Sequence, residues 1–138
     1  MRPIRKIVIH CAATPEGQDV KLEAIRRYHV EQRGFSDIGY HWVIELDGTV
    51  RQGRPEWAIG AHVKGQNLDS IGVCYVGGLT SDGRQPKDTR TPAQRRALVD
   101  LVRQIKQRHG PLSVHGHREY ANKACPCFEV AAEGDLHG

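Results

Sequence analysis

Apolar and polar residues alternate from Ile4 to His10 in a stretch rich in Ile and Val, which predicts a strand ending at His10. Ala13-Thr14-Pro15-Glu16-Gly17 reads as a loop. Leu22, Ile25 and the Tyr28-His29 pair then recur at helical spacing as far as Arg33, and Gly34 supplies a C-terminal stop. Tyr40 to Leu46 reads as a strand, Asp47-Gly48 as a hairpin turn, and Thr49 to Gln52 as the returning strand. A loop rich in Gly, Pro and Asn runs from Gly53 to Asp69. The continuous apolar run from Ile71 to Val76 predicts a central strand buried on both faces. A polar, turn-rich stretch follows to Arg90.

Thr91-Pro92-Ala93-Gln94 marks a helix start: Thr91 caps, Pro92 fits the first helical position, and Gln94 completes a capping box. Leu98, Leu101, Val102 and Ile105 keep helical spacing, and Gly110-Pro111 ends the helix. Leu112 to His115 is a short strand. Beyond Cys125 the chain reads as loop, with one helical turn after Phe128. The order β-α-β-β-β-α-β predicts an α/β fold, a single domain over 1–138 with a mixed central sheet flanked by helices.

Composition narrows the class. The chain has 138 residues, 38% hydrophobic and 26% charged, which suits one soluble globular domain with a real core. No apolar run approaches the roughly 20 residues of a membrane span, so no membrane insertion is expected. The N-terminus is basic, but only Ile7-Val8-Ile9 precedes His10, too short for the apolar region of a signal peptide. The expectation is a protein made in the cytoplasm that reaches any wall after release or export. A net charge of +4 favours anionic partners, yet the basic residues are scattered and no block calls for nucleic acid. Of four cysteines, Cys125 and Cys127 stand too close for a relaxed disulfide with each other. Without export, cysteines are expected as buried thiols or metal ligands.

The candidate chemistry begins at His10, where a strand leaves the sheet. Period-two alternation sends its neighbour Cys11 to the opposite face. His117 and Cys125 follow the last strand in the segment from His115 to Pro126. Two imidazoles and one thiolate suit Zn²⁺, and three protein ligands leave a fourth position for water. Spacing leaves His115 as an alternative to His117. It also leaves Glu119 either a partner to the site or a plain ion-pairing residue.

Several segments, in this order, resemble the N-acetylmuramoyl-L-alanine amidase family of the amidase-type phage lysozymes and peptidoglycan recognition proteins. They are Ile9-His10-Cys11-Ala12-Ala13-Thr14, Gly39-Tyr40-His41-Trp42-Val43-Ile44, Asp47-Gly48-Thr49-Val50, Gly53-Arg54-Pro55, Gly60-Ala61-His62, Asn67-Leu68-Asp69-Ser70-Ile71-Gly72-Val73, Gly116-His117-Arg118 and Lys123-Ala124-Cys125-Pro126. The resemblance implies a zinc cofactor on His10, His117 and Cys125, with Tyr40 and Lys123 catalytic. It places His62 and Asn67 near the substrate groove, and the loop aromatic Trp57, whose ring face suits a sugar, is a further groove candidate. It implies hydrolysis of the amide between N-acetylmuramic acid and L-alanine in peptidoglycan. With no second, wall-binding domain read in the sequence, a compact phage or prophage endolysin is expected, acting as a monomer, with a secreted effector or a recycling amidase as the other enzyme readings. The alternative is a recognition module that binds muropeptide without cutting it. Cys127 departs from the family pattern. His29 and His41 are expected to be structural, His109 and His137 exposed, Trp42 packed in the core, and Cys74 a buried small hydrophobe.

Overall fold

The computed structural model describes residues 2–138. In chain order the elements are β1 (Lys6–Cys11), β2 (Thr14–Pro15), α1 (Leu22–Arg33), β3 (Trp42–Ile44), β4 (Val50–Gln52), β5 (Ser70–Tyr75), β6 (Gly78–Leu79), α2 (Pro92–His109) and β7 (Ser113–Gly116). Short 3₁₀ turns cover Asn67–Asp69, His117–Glu119, Val130–Ala132 and Gly134–Leu136. The main sheet runs β4-β3-β5-β1-β7. Only β4 is antiparallel to its neighbour; the other pairs are parallel. This is the expected α/β class with a mixed sheet.

Both long helices lie where hydrophobic spacing put them, and the strand ends shift by a residue or two. β1 extends to Cys11 because that residue pairs with Tyr75. Tyr40 and His41 precede β3 instead of opening it, and their carbonyls accept from Arg54 and Gly53 in the following loop. The parallel pair β2–β6 was not expected, since a two-residue strand carries no periodicity to read.

Alternation along the strands sorts side chains to two faces. Ile7, Ile9, Cys11, Ile71, Val73, Tyr75, Ile44 and Val114 pack against Leu98, Leu101, Val102 and Ile105 of α2. Cys74, Val43 and Val76 turn the other way and meet Leu22 and Ile25 of α1. Each fully buried aliphatic side chain contributes about 1.5–3 kcal/mol. α1 covers only part of its face, and the uncovered part becomes the cleft described below.

The helix ends are tied to the sheet. Thr91 Oγ1 accepts from Gln94 N–H and Gln94 Oε1 accepts from Thr91 N–H, each at 3.0 Å. Gln94 is wholly buried, and its amide also donates to the carbonyls of Ile44 and Val76. One side chain thus caps α2 and bridges the ends of β3 and β5. α1 has no side-chain cap of its own; the buried Glu45 carboxylate accepts from Leu22 N–H at 3.0 Å. Gly34 closes α1 in the left-handed conformation, φ 73°. Beyond β7, Val130 and Leu136 enter the α2-side core, and the Arg90 guanidinium lies 3.4 Å from the Phe128 ring centroid. Among the described residues no helix is long and apolar enough to cross a membrane.

Thr91 also donates from Oγ1 to Leu46 O, so Thr91→Ala removes a cap and a tether together. The expected loss is about 1–2 kcal/mol of stability, measured by urea denaturation with an unchanged slope.

Candidate metal centre and active-site cleft

β1 is paired in parallel on both sides, with β5 and β7. His10 stands opposite Cys74 of β5, and its predecessor Ile9 stands opposite Gly116 of β7. The chain leaves β7 directly into His117, so the rings of His10 and His117 come to rest 4.6 Å apart between centroids. Cys125 returns to the same point on a loop closed by Arg118 N–H donating to Cys125 O at 2.8 Å. One ligand atom each from His10, His117 and Cys125 lie within 4.8 Å of one another. Tetrahedral zinc with nitrogen and sulfur ligands holds its donor atoms roughly 3.5 Å apart, so small side-chain movements would close this set. The donor chemistry and the spacing both fit that ion.

The strand-end residues divide as alternation requires: the Cys11 thiol enters the α2-side core, and the His10 ring turns the other way, among Tyr40, His62 and His117. Cys11 still serves the site through its backbone, whose N–H donates to Cys125 Sγ at 3.2 Å. No sequence signal marks a backbone donor of this kind. The Cys11 thiol itself is pushed up to about 12, first by the neighbouring Cys125 sulfur, and stays protonated. Its Sγ lies 3.8 Å from Cys127 Sγ, and all four cysteines are free. His115 turns elsewhere, to Glu119 and Ser113 at 2.8 Å each, and Glu119 also accepts from Gly116 N–H.

Both histidines of the cluster are held neutral. His10 is 1% exposed, and burial, followed by neighbouring His62, His117 and Lys123, lowers its pKa well below the usual range. Burial and then Lys123 lower that of His117. Tyr40 lies beside His10, the rings tilted by 51° with centroids 5.0 Å apart. Burial, then the nearby thiols of Cys74, Cys125 and Cys11, raise its pKa, so the phenol keeps its proton. Cys74 lies beneath it, fully buried.

Two adjoining clefts meet over the cluster. One, of about 500 Å³, is lined by Ala13, Tyr28, His29, Tyr40 and Cys125. The other, of about 410 Å³, is lined by Phe35, His62, Lys64, Asn67 and Tyr120. Arg33, His117 and Lys123 line both, so the two form one groove. No carboxylate lines it, whereas Arg33, Lys64 and Lys123 do. The groove walls are therefore locally positive, although most of the chain's basic residues lie elsewhere.

The remaining expected residues divide. Asn67 lines the groove, with its Oδ1 accepting from His62 and Val63 N–H. His62 also lines it, but both ring nitrogens are engaged by the protein: Nδ1 by His10 at 2.8 Å and Nε2 by Ser70 at 3.2 Å. It therefore offers a substrate only its ring edge. Trp57 is 69% exposed and lines neither cleft. His29 and His41 accept from Gly39 and Gly72 N–H inside the fold. His109 is not exposed as expected: it pairs with Glu56 at 2.8 Å, because the loop after β4 folds back against the end of α2. Trp42 packs at the core edge and donates to the same carboxylate.

A mixed-sheet α/β protein with a His, His and Cys cluster at the floor of an open groove is the class these features define. The family model for N-acetylmuramoyl-L-alanine amidase matches residues 1–128. The endolysin of Klebsiella phage KP32 is 44% identical over 125 residues, covering 91% of this chain and 82% of that protein. The solved amidase LysC from Clostridium intestinale superposes with a TM-score of 0.80 at 28% identity, covering 97% of this chain and 83% of the other. Bumblebee peptidoglycan recognition protein SA gives a TM-score of 0.75 at 29% identity, covering 90% and 75%. The chain belongs to the N-acetylmuramoyl-L-alanine amidase family. It is an amide hydrolase of peptidoglycan.

Burial holds His41 down to about 4 and His62 to about 3, against an ordinary value of 6.5. The unfolded chain takes up these protons near pH 6.5 and the folded chain only well below. Stability from the neutral rings is therefore complete above pH 6.5 and lost as pH falls toward 4 and 3. Denaturant midpoints of the metal-free protein should drop between pH 7 and pH 4.5. A flat profile would contradict the burial of neutral rings.

Proposed function

We propose that residues 1–138 act as one zinc-dependent amidase domain of a phage or prophage endolysin, with His10, His117 and Cys125 holding the metal. The carrying observation is the gathering of those three donors within 4.8 Å on the groove floor. Bound zinc lowers the pKa of a water to about 7 and polarises a carbonyl. The chain's own groups do the rest. His10 and His117 present neutral imidazoles, and Cys11 N–H supports the Cys125 sulfur. Tyr40, protonated at neutral pH, donates its hydroxyl hydrogen to the oxyanion that develops on the scissile carbonyl. Lys123, exposed at the junction of the two clefts, delivers a proton to the departing L-alanine nitrogen.

Asn67 lies on the groove wall where the stem peptide passes. Trp57, outside both clefts, has no place in this substrate contact. All named residues come from a single chain, so a monomer suffices. The whole-domain reading is supported by Val130 and Leu136, which complete the α2-side core. The endolysin role rests on the phage relative and directs the enzyme to the bacterial cell wall.

Mass spectrometry of muropeptides after digestion should show new lactyl carboxylates paired with new L-alanine amines. Their absence would overturn the reading. Cys125→Ala should lose both bound zinc and wall hydrolysis, checked by metal analysis and turbidity of a sacculus suspension. Lys123→Ala should keep its zinc while turnover falls about 100-fold or more; wild-type turnover would leave the proton to Tyr40 alone.

A further inference from the structure

His62 is built into the protein with more care than a groove-lining residue requires. Its backbone N–H and that of Val63 both donate to Asn67 Oδ1, at 3.0 and 2.9 Å. Its ring lies in a slot with no room for side chains beneath it. A Cβ on Gly72 of β5 would come within 2.7 Å of the ring, and one on Gly60 within 2.8 Å.

The hydrogen bonds around that ring have one consistent direction. Ser70 is fully buried, and its hydroxyl lies 2.7 Å from Gln66 O. A carbonyl only accepts, so the single Ser70 proton goes to Gln66. The 3.2 Å contact between Ser70 Oγ and His62 Nε2 must then carry the imidazole proton, with Nε2–H donating. A neutral His62 with its proton on Nε2 has a bare Nδ1. That nitrogen accepts from His10 Nε2–H at 2.8 Å. His10 in turn is left with a bare Nδ1, the atom that faces Cys125 Sγ at 4.0 Å.

We propose that His62 is a positioning residue: the chain Gln66–Ser70–His62 fixes the tautomer and orientation of His10, so that its Nδ1 lone pair is aimed at the metal position. This rests on the zinc reading above for its purpose but not for its geometry. The direction of the chain originates in a backbone carbonyl, which has no alternative role. Loss of either link frees His10 to protonate Nδ1 or to turn. His62 touches neither the reacting bond nor the metal in this scheme and acts only through His10.

Nitrogen-resolved NMR of the metal-free full chain at pH 7.5 tests the chain directly. The wild type should show His10 protonated on Nε2 and bare on Nδ1, with His62 likewise protonated on Nε2. In Ser70→Ala, where one oxygen is removed, both rings should become tautomer mixtures. Competition with a chromophoric chelator should show zinc held about 10–100-fold more weakly in Ser70→Ala and His62→Ala than in the wild type. Two results would overturn the proposal: a wild-type His10 protonated on Nδ1, or wild-type zinc affinity in Ser70→Ala. Should His62→Ala fail to fold, the wild-type tautomer and Ser70→Ala decide. A wild-type protein that shows the tautomer pattern but binds no zinc would sink the metal reading and leave the hydrogen-bond chain standing.

Discussion

The register of β1 between β5 and β7 is the constraint on which the site depends. Parallel pairing on both sides holds β1 in the middle of the sheet, buried from Ile7 to Cys11, and alternation then sends His10 and Cys11 to opposite faces. A slip of one residue would exchange the two faces and put the His10 imidazole in the core under α2, away from His117. Because β7 ends beside β1 and runs straight into His117, the second imidazole needs no long loop to find the first. The sheet is held in that register by apolar side chains on both faces and by Gln94, which ties the ends of β3 and β5 to the start of α2.

Around this frame the groove holds its polar groups in the protonation states that the proposed mechanism calls for. Burial keeps His10 and His117 unprotonated and Tyr40 protonated. No buried side-chain nitrogen or oxygen among the described residues lacks a hydrogen-bond partner. Such satisfaction matters most in a site of low dielectric, where an unpaired polar atom is costly and mobile. Arg33, Lys64 and Lys123 along the walls give the groove a positive field that favours anionic groups.

The loop that carries Lys123 and Cys125 would be free to wander if it hung from β7 alone. It is braced from both ends. Tyr75 of β5 donates to Pro126 O at 2.7 Å, and the Phe128 ring lies under Arg90, itself paired with Asp88 and Glu133. The C-terminal turns thus belong to the machinery of the site: they complete the core that presses this loop against the sheet.

Local physics made much of this legible in the sequence. Helical spacing with Gly34 and the Thr91–Gln94 capping box defined both helices. Alternation separated His10 from Cys11, and motif order brought His10, Tyr40, His117, Lys123 and Cys125 into one expected group. Periodicity reports which face is buried, not which atom meets which. Only the tertiary structure decided that His62 faces His10, 52 residues away, that His109 clamps Glu56, 53 residues away, and that Trp57 stands outside the groove. It also decided which nitrogen of His10 is bare. Hydrogen bonds are directional contacts between segments remote in sequence, and their partners exist only once the sheet has placed those segments side by side.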